Sequence, residues 1–401
     1  MFCETQPFGL NESYNETMPP LLPDRKDRDQ LDALFASFLA AKEDTIGYPP
    51  GSHFDNRPIR QFLELSLNNA GDPFGPGTHN RLNTHRFERE VIEHYADTFH
   101  APENFSGYVT GGGSEGNLYG MYLAREKYPR AKIYFSDQSH YSIEKNARLL
   151  KIPYATIASS EKGQIDYAAL ADQLRRDPGS EAIVIANIGT TMLGAIDHVP
   201  KILDILDDTG KTDHAIHCDA AFFGIPLSLI DAEICADFDF HQVIDSIACS
   251  GHKTSGLPIP CGFVIVRKEN ADRITKEIEY IGASDNTITG SRSGIAPLLL
   301  WYDLRCIAAN RAVVKQQFLD CYEKAQNVSS QITALGVESF VNEHSNIVVF
   351  EKPSNDIRDR WQLATEGKWS HLMILPHVTD TVLAQFLDEM AETSSTLFVS
   401  S

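Results

Sequence analysis

The chain has 401 residues, of which 42% are hydrophobic, and its formal net charge is -20. This length and hydrophobic content allow a large core and more than one domain. The negative charge argues against nucleic acid or an anionic membrane as a partner, because both require clustered Lys and Arg. No stretch approaches the roughly 18 apolar residues of a membrane span, and the polar N-terminus has no signal-peptide core.

The seven cysteines are scattered along the chain and include no C-x-x-C pair. An odd number of dispersed cysteines is typical of reduced thiols, so we expect a cytoplasmic protein without a zinc site.

The first hundred residues predict helices separated by loops. An arm of about 25 residues precedes an amphipathic helix over 27–42, with apolar residues on one face. Helical spacing returns over 59–67 and again over 87–99. Between them, residues 68–84 form a long loop rich in Gly, Pro and Asn, and loops of that length are often functional.

From about residue 106 to 267, short apolar runs alternate with helical patterns. This alternation predicts an α/β fold with a mainly parallel sheet flanked by helices. Beyond residue 295 the chain is more helical, with strands expected at 346–350 and 371–375. We therefore predict an N-terminal arm and helix (1–55), a large α/β domain (56–290) and a smaller C-terminal α+β domain (291–401).

Lys253 lies between two apolar runs, so its side chain is expected deep in the fold, where an ammonium ion is costly. Burial lowers the pKa of a lysine, and the neutral amine can then form a Schiff base with a carbonyl. Ser250 and His252 can hold an anion beside that amine. A phosphate-bearing aldehyde satisfies both features, as pyridoxal phosphate does. A surface loop lysine is the alternative.

In α/β sheets, ligands bind beyond the carboxyl ends of the strands, and two predicted strand ends carry candidate residues. The glycine run that contains Gly113 and Ser114 opens a helix, where backbone N–H groups and a hydroxyl can hold a phosphate. His140 follows the next strand and can stack on an aromatic ring. A flexible turn and a helix-capping histidine are the alternatives.

Two further strand ends carry Thr190 and Asp219. The Thr190 hydroxyl can bond a ligand phenolate, or it belongs to a turn. A carboxylate among apolar neighbours, as at Asp219, needs a partner, and a protonated pyridine nitrogen supplies one. A helix N-cap is the alternative role for this aspartate. One cofactor, pyridoxal phosphate, accounts for all four features in chain order: the phosphate-binding loop, the histidine, the aspartate and the lysine.

The sequence also resembles the group II pyridoxal-phosphate-dependent amino acid decarboxylases, from about residue 46 to 375. Within them it is most similar to the branch of bacterial histidine decarboxylases and plant serine decarboxylases. The resemblance is carried by five stretches: residues 107–117, 139–142, 186–191, 250–253 with 258–262, and 289–292.

This resemblance implies roles for individual residues of a homodimer whose site lies at the interface. Lys253 would carry the cofactor, Asp219 would pair with its pyridine nitrogen and His140 would stack on its ring. The family's phosphate contacts fall on Gly113, Ser114, Ser250 and His252, and Thr190 lies near the phenolate oxygen. Tyr280 matches a mobile-loop tyrosine that protonates the substrate carbon, and Ser291 would reach the cofactor phosphate of the neighbouring subunit.

The amino acid substrate is the least determined feature of the resemblance. L-Histidine is the first expectation, although Pro73 stands where the bacterial enzymes have Trp, and His79 and Asn80 replace an Asn-Tyr pair. The Gly-Asp-Pro-Phe run over 71–74 is closer to the plant serine enzymes. An acidic or other small amino acid is the third choice, because His79 and Arg81 can bind a carboxylate. A solvated polar loop is the alternative for these two residues, and Tyr48 is a further candidate contact.

Two other classes remain open at this point. An aminotransferase would use the same cofactor residues, but it would also need a C-terminal arginine for the substrate carboxylate. A non-catalytic scaffold on the same fold would be expected to lack Lys253 or Asp219, and both are present.

Overall fold

The computed structural model describes residues 22–48 and 54–399. The chain divides into two compact units, residues 1–44 and 45–401, and each is considered by itself. No helix within these described ranges has the length and apolar character required to cross a membrane. The predicted boundary near residue 291 stays a prediction.

In the first unit, helix α1 (Arg25–Glu43) confirms the helix expected over 27–42. Asp24 caps its N-terminus by accepting a hydrogen bond from the backbone N–H of Asp27 at 2.9 Å. The apolar side chains of this helix are exposed: Leu31, Leu34, Phe35, Phe38 and Leu39. The arm before residue 22 lies outside the described residues.

The second unit contains the remaining helices and all the described strands. Its helices are α2 (Arg57–Arg60), α3 (His85–Thr98), α4 (Gly113–Lys127), α5 (Ser142–Leu150), α6 (Tyr167–Arg176), α7 (Val199–Asp208), α8 (Gly224–Ile230), α9 (Ala232–Ala236), α10 (Gly251–Ser255), α11 (Lys268–Asp272), α12 (Ile295–Ala309), α13 (Arg311–Ala334), α14 (Asn355–Arg360) and α15 (Asp380–Val399). Its strands are β1 (Asn68–Ala70), β2 (Phe105–Thr110), β3 (Lys132–Ser136), β4 (Tyr154–Ile157), β5 (Glu181–Asn187), β6 (Asp213–Asp219), β7 (Ser246–Ser250), β8 (Gly262–Arg267), β9 (Lys276–Ile278), β10 (Ala283–Asp285), β11 (Ser291–Ser293), β12 (Ser339–Phe340), β13 (Ile347–Glu351), β14 (Ala364–Glu366) and β15 (Trp369–Met373).

The main sheet has seven strands in the order β2-β8-β7-β6-β5-β3-β4. Only β8 runs against its neighbours, and all the other pairings are parallel. The central strands are buried on both faces, as Ile183, Val184 and Ile185 of β5 illustrate with no exposed surface. Such continuous apolar strands require helices on both faces. The predicted, mainly parallel α/β architecture is confirmed.

A second sheet has four antiparallel strands in the order β12-β13-β15-β14. Strands β13 and β15 correspond to the two strands expected at 346–350 and 371–375, displaced by one or two residues. Helix α13 packs on this sheet, and the fully buried Trp361 contacts Phe386 of α15 edge-on at 5.7 Å between ring centroids. The predicted C-terminal α+β region is therefore present.

The helix predicted over 59–67 is wrong in most of its length. Helix α2 ends at Arg60, a 3₁₀ turn follows to Glu64, and β1 begins at Asn68. Only part of the apolar pattern there faces the core, since Ile59 is buried but Leu63 is 69% exposed. Strand β1 instead pairs antiparallel with β11, which brings the polar loop after residue 68 beside residues 291–293.

Candidate active site

The glycine run after β2 forms a tight connection into the N-terminus of α4. Gly112 has a φ of +143°, a backbone conformation that favours glycine. A side-chain carbon at Gly113 would lie 2.8 Å from Ser250 Oγ and 3.1 Å from Ala221 Cβ, so a larger residue does not fit. The Gly113 N–H donates to Ser250 Oγ at 3.2 Å. This arrangement places the positive end of a 15-residue helix beside Ser114 and Ser250.

Asp219 ends β6 and is nearly buried, with 7% of its surface exposed. Its Oδ2 accepts a hydrogen bond from Asn117 Nδ2 at 2.7 Å, and its Oδ1 accepts one from the Ala221 N–H at 3.2 Å. Both contacts use the carboxylate as an acceptor. The structure thus holds a hydrogen-bonded carboxylate at a strand end. The alternative of a buried helix N-cap is not what the structure has, because the next helix begins only at Gly224 with Phe223 at its cap.

A buried chain of hydrogen bonds lies behind Asp219. His217 Nε2 is 2.9 Å from Asn117 Oδ1, and His217 Nδ1 is 2.8 Å from Ser246 Oγ. Burial lowers the pKa of His217 to about 4, so the imidazole is neutral near pH 7. Because Asn117 donates through Nδ2 to Asp219, its Oδ1 must accept, and His217 must carry its proton on Nε2. Ser246 then donates to Nδ1, and all donors in the chain point toward the carboxylate.

His140 follows β3 and precedes α5, where its Nδ1 lies 2.8 Å from Ser142 Oγ. Burial lowers the pKa of this imidazole, Asp219 opposes that shift, and Lys253 adds to it. His140 therefore lies close enough to Asp219 and Lys253 for their charges to act on it, and its ring is neutral at neutral pH.

Lys253 lies on the short helix α10, directly after β7. Burial lowers the pKa of its ammonium group, and the nearby Asp219 carboxylate partly opposes this shift. A lowered pKa increases the fraction of neutral amine, which is the nucleophilic form. Lys253 as a residue is half-buried, and the lowered pKa agrees with an amine that is shielded from solvent.

The remaining predicted cofactor contacts lie around the same space. Thr190 is buried in the turn after β5, where its Oγ1 accepts a hydrogen bond from the Ala195 N–H at 3.0 Å. His252 Nδ1 lies 2.8 Å from the carbonyl oxygen of Cys261, and burial lowers the pKa of the His252 imidazole.

These side chains line one cavity of about 670 Å³. It includes eight residues that the sequence predicted for a cofactor site: Gly113, Ser114, His140, Thr190, Asp219, Ser250, His252 and Lys253. Tyr48 also lines the cavity, and further walls come from strands β13, β14 and β15 through Ile347, Ala364, His371 and Met373. The cavity is large enough for a cofactor together with a small substrate.

Five predicted residues lie outside the cavity of their own chain. Tyr280 is 84% exposed in the short turn after β9. The exposed Ser291 accepts a hydrogen bond from Asn68 Nδ2 through its Oγ at 3.2 Å. His79, Asn80 and Arg81 are exposed in the polar loop, and the His79 N–H donates to the carbonyl of Ile281 at 2.9 Å.

The structure gathers these five residues on one exposed surface, which we call the loop surface: residues 78–82, 279–282 and 290–291. Strand pairing between β1 and β11 and the His79–Ile281 contact hold its segments together. Beneath it, Arg292 forms a buried ion pair with Glu88, and Arg292 Nη2 donates to the Gly71 carbonyl at 2.8 Å. Glu88 also accepts from the backbone of Val109 at 2.9 Å, which connects this surface to β2.

The sequence did not predict three residues of the site: Asn117, His217 and His371. Asn117 and His217 contact Asp219 directly or through one neighbour, and His371 forms part of the cavity wall. His371 Nδ1 lies 2.9 Å from the Met192 carbonyl, and its Nε2 lies 3.1 Å from the Gly47 carbonyl, so it tethers the segment that carries Tyr48. The His217-Cys-Asp219 spacing was the available signal, because alternate residues of a strand share one face.

The donors and acceptors around the cavity fit pyridoxal phosphate. A helix N-terminus with a glycine cradle suits the phosphate, the Asp219 carboxylate suits a pyridinium N–H, and Lys253 offers an amine of lowered pKa. With the seven-stranded sheet, this set of groups defines a pyridoxal-phosphate enzyme of fold type I.

The family of the chain follows from comparison with known proteins. The model of the pyridoxal-dependent decarboxylase conserved domain matches residues 83–352. Histidine decarboxylase of Mesorhizobium japonicum is 40% identical over 371 residues, which cover 92% of this chain and 98% of that protein. Serine decarboxylase 2 of Oryza sativa subsp. japonica is 39% identical over 350 residues, which cover 86% of this chain and 74% of that protein.

Solved structures show the same fold at lower identity. L-Methionine decarboxylase from Streptomyces sp. 590 superposes with a TM-score of 0.80 at 22% identity, over 96% of this chain and 98% of that one. The chain belongs to the pyridoxal-dependent decarboxylase family. It is a carboxy-lyase that uses pyridoxal 5'-phosphate, and the expectations for fold class, cofactor and reaction class are confirmed.

Proposed function

We propose that the protein decarboxylates L-histidine to histamine. The observation that carries this proposal is the 40% identity to the Mesorhizobium japonicum histidine decarboxylase, which extends over 98% of that enzyme. A cavity of about 670 Å³ can accommodate the cofactor and an imidazole side chain together.

Each cavity residue has a proposed task. Lys253 would hold the cofactor aldehyde through its amine, the nucleophilic group of the site. His140 stacks on the ring, and Thr190 contacts it near the phenolate oxygen. Asp219, held by Asn117, keeps a proton on the pyridine nitrogen. When bound, pyridoxal phosphate supplies an electron sink for the carbanion that CO2 loss leaves.

Phosphate binding is proposed for the α4 N-terminus and the segment around α10. Four groups of the cavity wall are candidates for this contact: the Gly113 backbone, the Ser114 and Ser250 hydroxyls and the His252 ring. A neutral His252 can donate one hydrogen bond, and the helix dipole favours the dianion. No metal is required in this arrangement.

L-Serine is the second candidate substrate. The rice serine decarboxylase is 39% identical, and the run over 71–74 is closer to the plant enzymes than to the bacterial ones. Ethanolamine would then be the product. The polar groups of His79 and Arg81 keep an acidic substrate as a third possibility.

The proposal is tested with the purified holoenzyme by measuring CO2 and amine release from each of the twenty amino acids. Histamine from L-histidine, with kcat/KM at least tenfold above that for any other amino acid, is the expected result. Ethanolamine from L-serine as the dominant product would refute the histidine assignment and leave decarboxylation standing. Lys253→Ala serves as the inactive control.

We also propose that two copies of the chain form a homodimer in which the loop surface of one copy completes the cavity of the other. Tyr280, Ser291 and the 79–81 segment are exposed together and lie outside the cavity of their own chain. In this arrangement Tyr280 returns a proton to the substrate carbon, and Ser291 approaches the cofactor phosphate of the partner.

Subunit complementation tests this arrangement. Lys253→Ala and Tyr280→Phe are each expected to be nearly inactive, and mixing them in equal amounts under exchange conditions should form heterodimers as about half of the dimers. One of the two sites in such a heterodimer has both native residues, so about a quarter of native activity returns. Lys253→Ala mixed with Asp219→Ala is the control and should recover none. If the first pair fails to recover activity, Tyr280 does not act in the active site of the partner chain, and the proposed arrangement is refuted.

A cytoplasmic location is proposed from thiol chemistry. The six described cysteines are free, and all except Cys306 are buried. Burial raises the pKa of thiols such as Cys218, Cys235 and Cys321, so these groups are unreactive. Fractionation of the source cells with an activity assay tests the location.

A further inference from the structure

The cluster formed by His100, Asp239 and His241 lies apart from the active-site cavity. His100 follows α3, and the other two residues lie in the segment between α9 and β7. His100 Nδ1 is 2.7 Å from Asp239 Oδ2, and His241 Nδ1 is 3.1 Å from Asp239 Oδ1. Each residue offers one ligand atom, and these atoms all lie within 4.8 Å of one another.

The burial of these three side chains is unequal. The Asp239 side chain has no exposed surface, while those of His100 and His241 are 50% and 56% exposed. Within residues 22–48 and 54–399, the ion pairs of Asp239 are formed with these two histidines alone. A buried carboxylate without a permanent cation is costly, so the cluster favours a positive ion at the two rings.

The backbone around the cluster is held firmly. The Phe240 N–H donates to the Phe99 carbonyl at 3.0 Å, which fixes the two segments side by side. The Asp239 N–H donates to Cys235, and the His241 N–H donates to Asp239 Oδ1 at 2.8 Å. His100 adopts a φ of +53°, which is uncommon for a residue other than glycine. The backbone that carries the three side chains is therefore fixed, and only the half-exposed rings are left to adjust to an ion.

We propose that His100, Asp239 and His241 bind a divalent transition metal ion of the Zn²⁺ class, with water at the remaining position. Two imidazole nitrogens and one carboxylate oxygen are typical ligands of Zn²⁺, Co²⁺ and Ni²⁺, whereas Mg²⁺ and Ca²⁺ prefer oxygen alone. Neutral rings can move their proton to Nε2, which frees Nδ1 as the ligand.

The distances suit such an ion after a small adjustment. Bonds of about 2.0–2.1 Å in a tetrahedral zinc site place ligand atoms about 3.3 Å apart. Measured to the single oxygen Asp239 Oδ2, the present separations are 2.7 Å for His100 Nδ1 and 3.3 Å for His241 Nδ1. Only the first must lengthen, by about 0.6 Å. The half-exposed His100 ring can withdraw by that amount, while the buried Asp239 stays in place. The ion would join the end of α3 to the segment before β7.

This inference also revises an expectation from the sequence. The lack of paired cysteines argued against a zinc site, but these ligands are histidines and an aspartate. His100 and Asp239 are separated by 139 residues, so no local spacing reveals them. The site does not touch the cavity, and decarboxylation is expected to proceed without the ion.

Titration of chelator-treated holoenzyme with Zn²⁺ alone tests the proposal. We expect saturable binding of one Zn²⁺ per chain at this cluster and a rise in Tm on binding. His100→Gln and His241→Gln should each weaken this binding by about tenfold or more, and both rings are exposed enough for the variants to fold. Decarboxylase activity should be unchanged in both variants.

His198→Asn is the matched control. His198 is 51% exposed and also lies near one carboxylate, that of Asp237 at 3.6 Å, and asparagine preserves its role as a helix cap. This variant should bind Zn²⁺ like the native protein. The proposal is overturned if Zn²⁺ fails to raise the Tm of the native protein. It is equally overturned if His100→Gln and His241→Gln retain native Zn²⁺ affinity, because the ion would then be bound elsewhere.

Discussion

The hydrogen-bond chain behind Asp219 leads to a specific prediction for Asn117→Ala. The substitution removes the 2.7 Å donor from Asp219 Oδ2 and leaves His217 Nε2 without its acceptor. A hydrogen bond to a charged group contributes about 1.5–3 kcal/mol. If that stabilisation serves to hold Asp219 for the pyridine nitrogen, cofactor binding should weaken by about 10-fold to 100-fold.

Asn270→Ala provides the matched control for this experiment. Asn270 is also buried, and its Nδ2 donates to the Asp245 carboxylate at 3.1 Å, away from the cavity. Both variants should therefore lose stability by a similar amount, measured by urea denaturation of the apoprotein. Only Asn117→Ala should also lose cofactor affinity, measured by equilibrium dialysis with pyridoxal phosphate. Equal cofactor affinity in the two variants would refute the positioning role of Asn117.

Three further predictions concern buried groups. The pKa of His217 is about 4 in the folded protein and 6.5 in the unfolded chain. Because the unfolded chain takes up the proton first, acidification from pH 6.5 towards 4 should lower the free energy of unfolding by up to about 3 kcal/mol. His217→Gln should reduce this loss, measured by urea denaturation at each pH. Burial raises the pKa of Asp303, which accepts a hydrogen bond from Ser255, to about 7. The carboxyl group loses its proton more easily in the unfolded chain, so the free energy of unfolding falls as the pH rises from about 4 to 7. Asp303→Asn should therefore be more stable than the native protein at pH 8 but not at pH 4. Gly120→Ala places a carbon 2.2 Å from His217 Nδ1 and should lower the free energy of unfolding by about 1–3 kcal/mol, measured by urea denaturation.

The cavity residues were predictable because of one geometrical rule. Parallel strands end at the same edge of a sheet, so residues after successive strands meet there. Gly113 follows β2, His140 follows β3, Thr190 follows β5, Asp219 ends β6 and Lys253 follows β7. Reading the strand ends in order was sufficient to assemble these residues, although the roles assigned to them stay predictions.

Other parts of the molecule depend on contacts that no local pattern encodes. Asn117 and His217 meet across 100 residues of sequence, and the helix α4 must pack on β6 before they can touch. The helix expected over 59–67 failed for a related reason. Its apolar spacing suited a helix, but Leu63 faces solvent, and pairing of β1 with β11 determines the path of the chain there.

The separation of the site residues has a consequence for substrate choice. The part of the cavity wall formed by Ile347, Ala364 and Met373 is apolar. It can exclude water, but its side chains offer no hydrogen bond to a polar substrate side chain. The polar candidates His79 and Arg81 lie on the loop surface instead. In the proposed dimer, the chain that binds the cofactor supplies Lys253 and Asp219. Its partner supplies Tyr280 and the groups that distinguish an imidazole from a hydroxyl or a carboxylate. Substitutions at His79 and Arg81 should then change KM for the amino acid without changing cofactor affinity, whereas substitutions at Asp219 should change cofactor affinity.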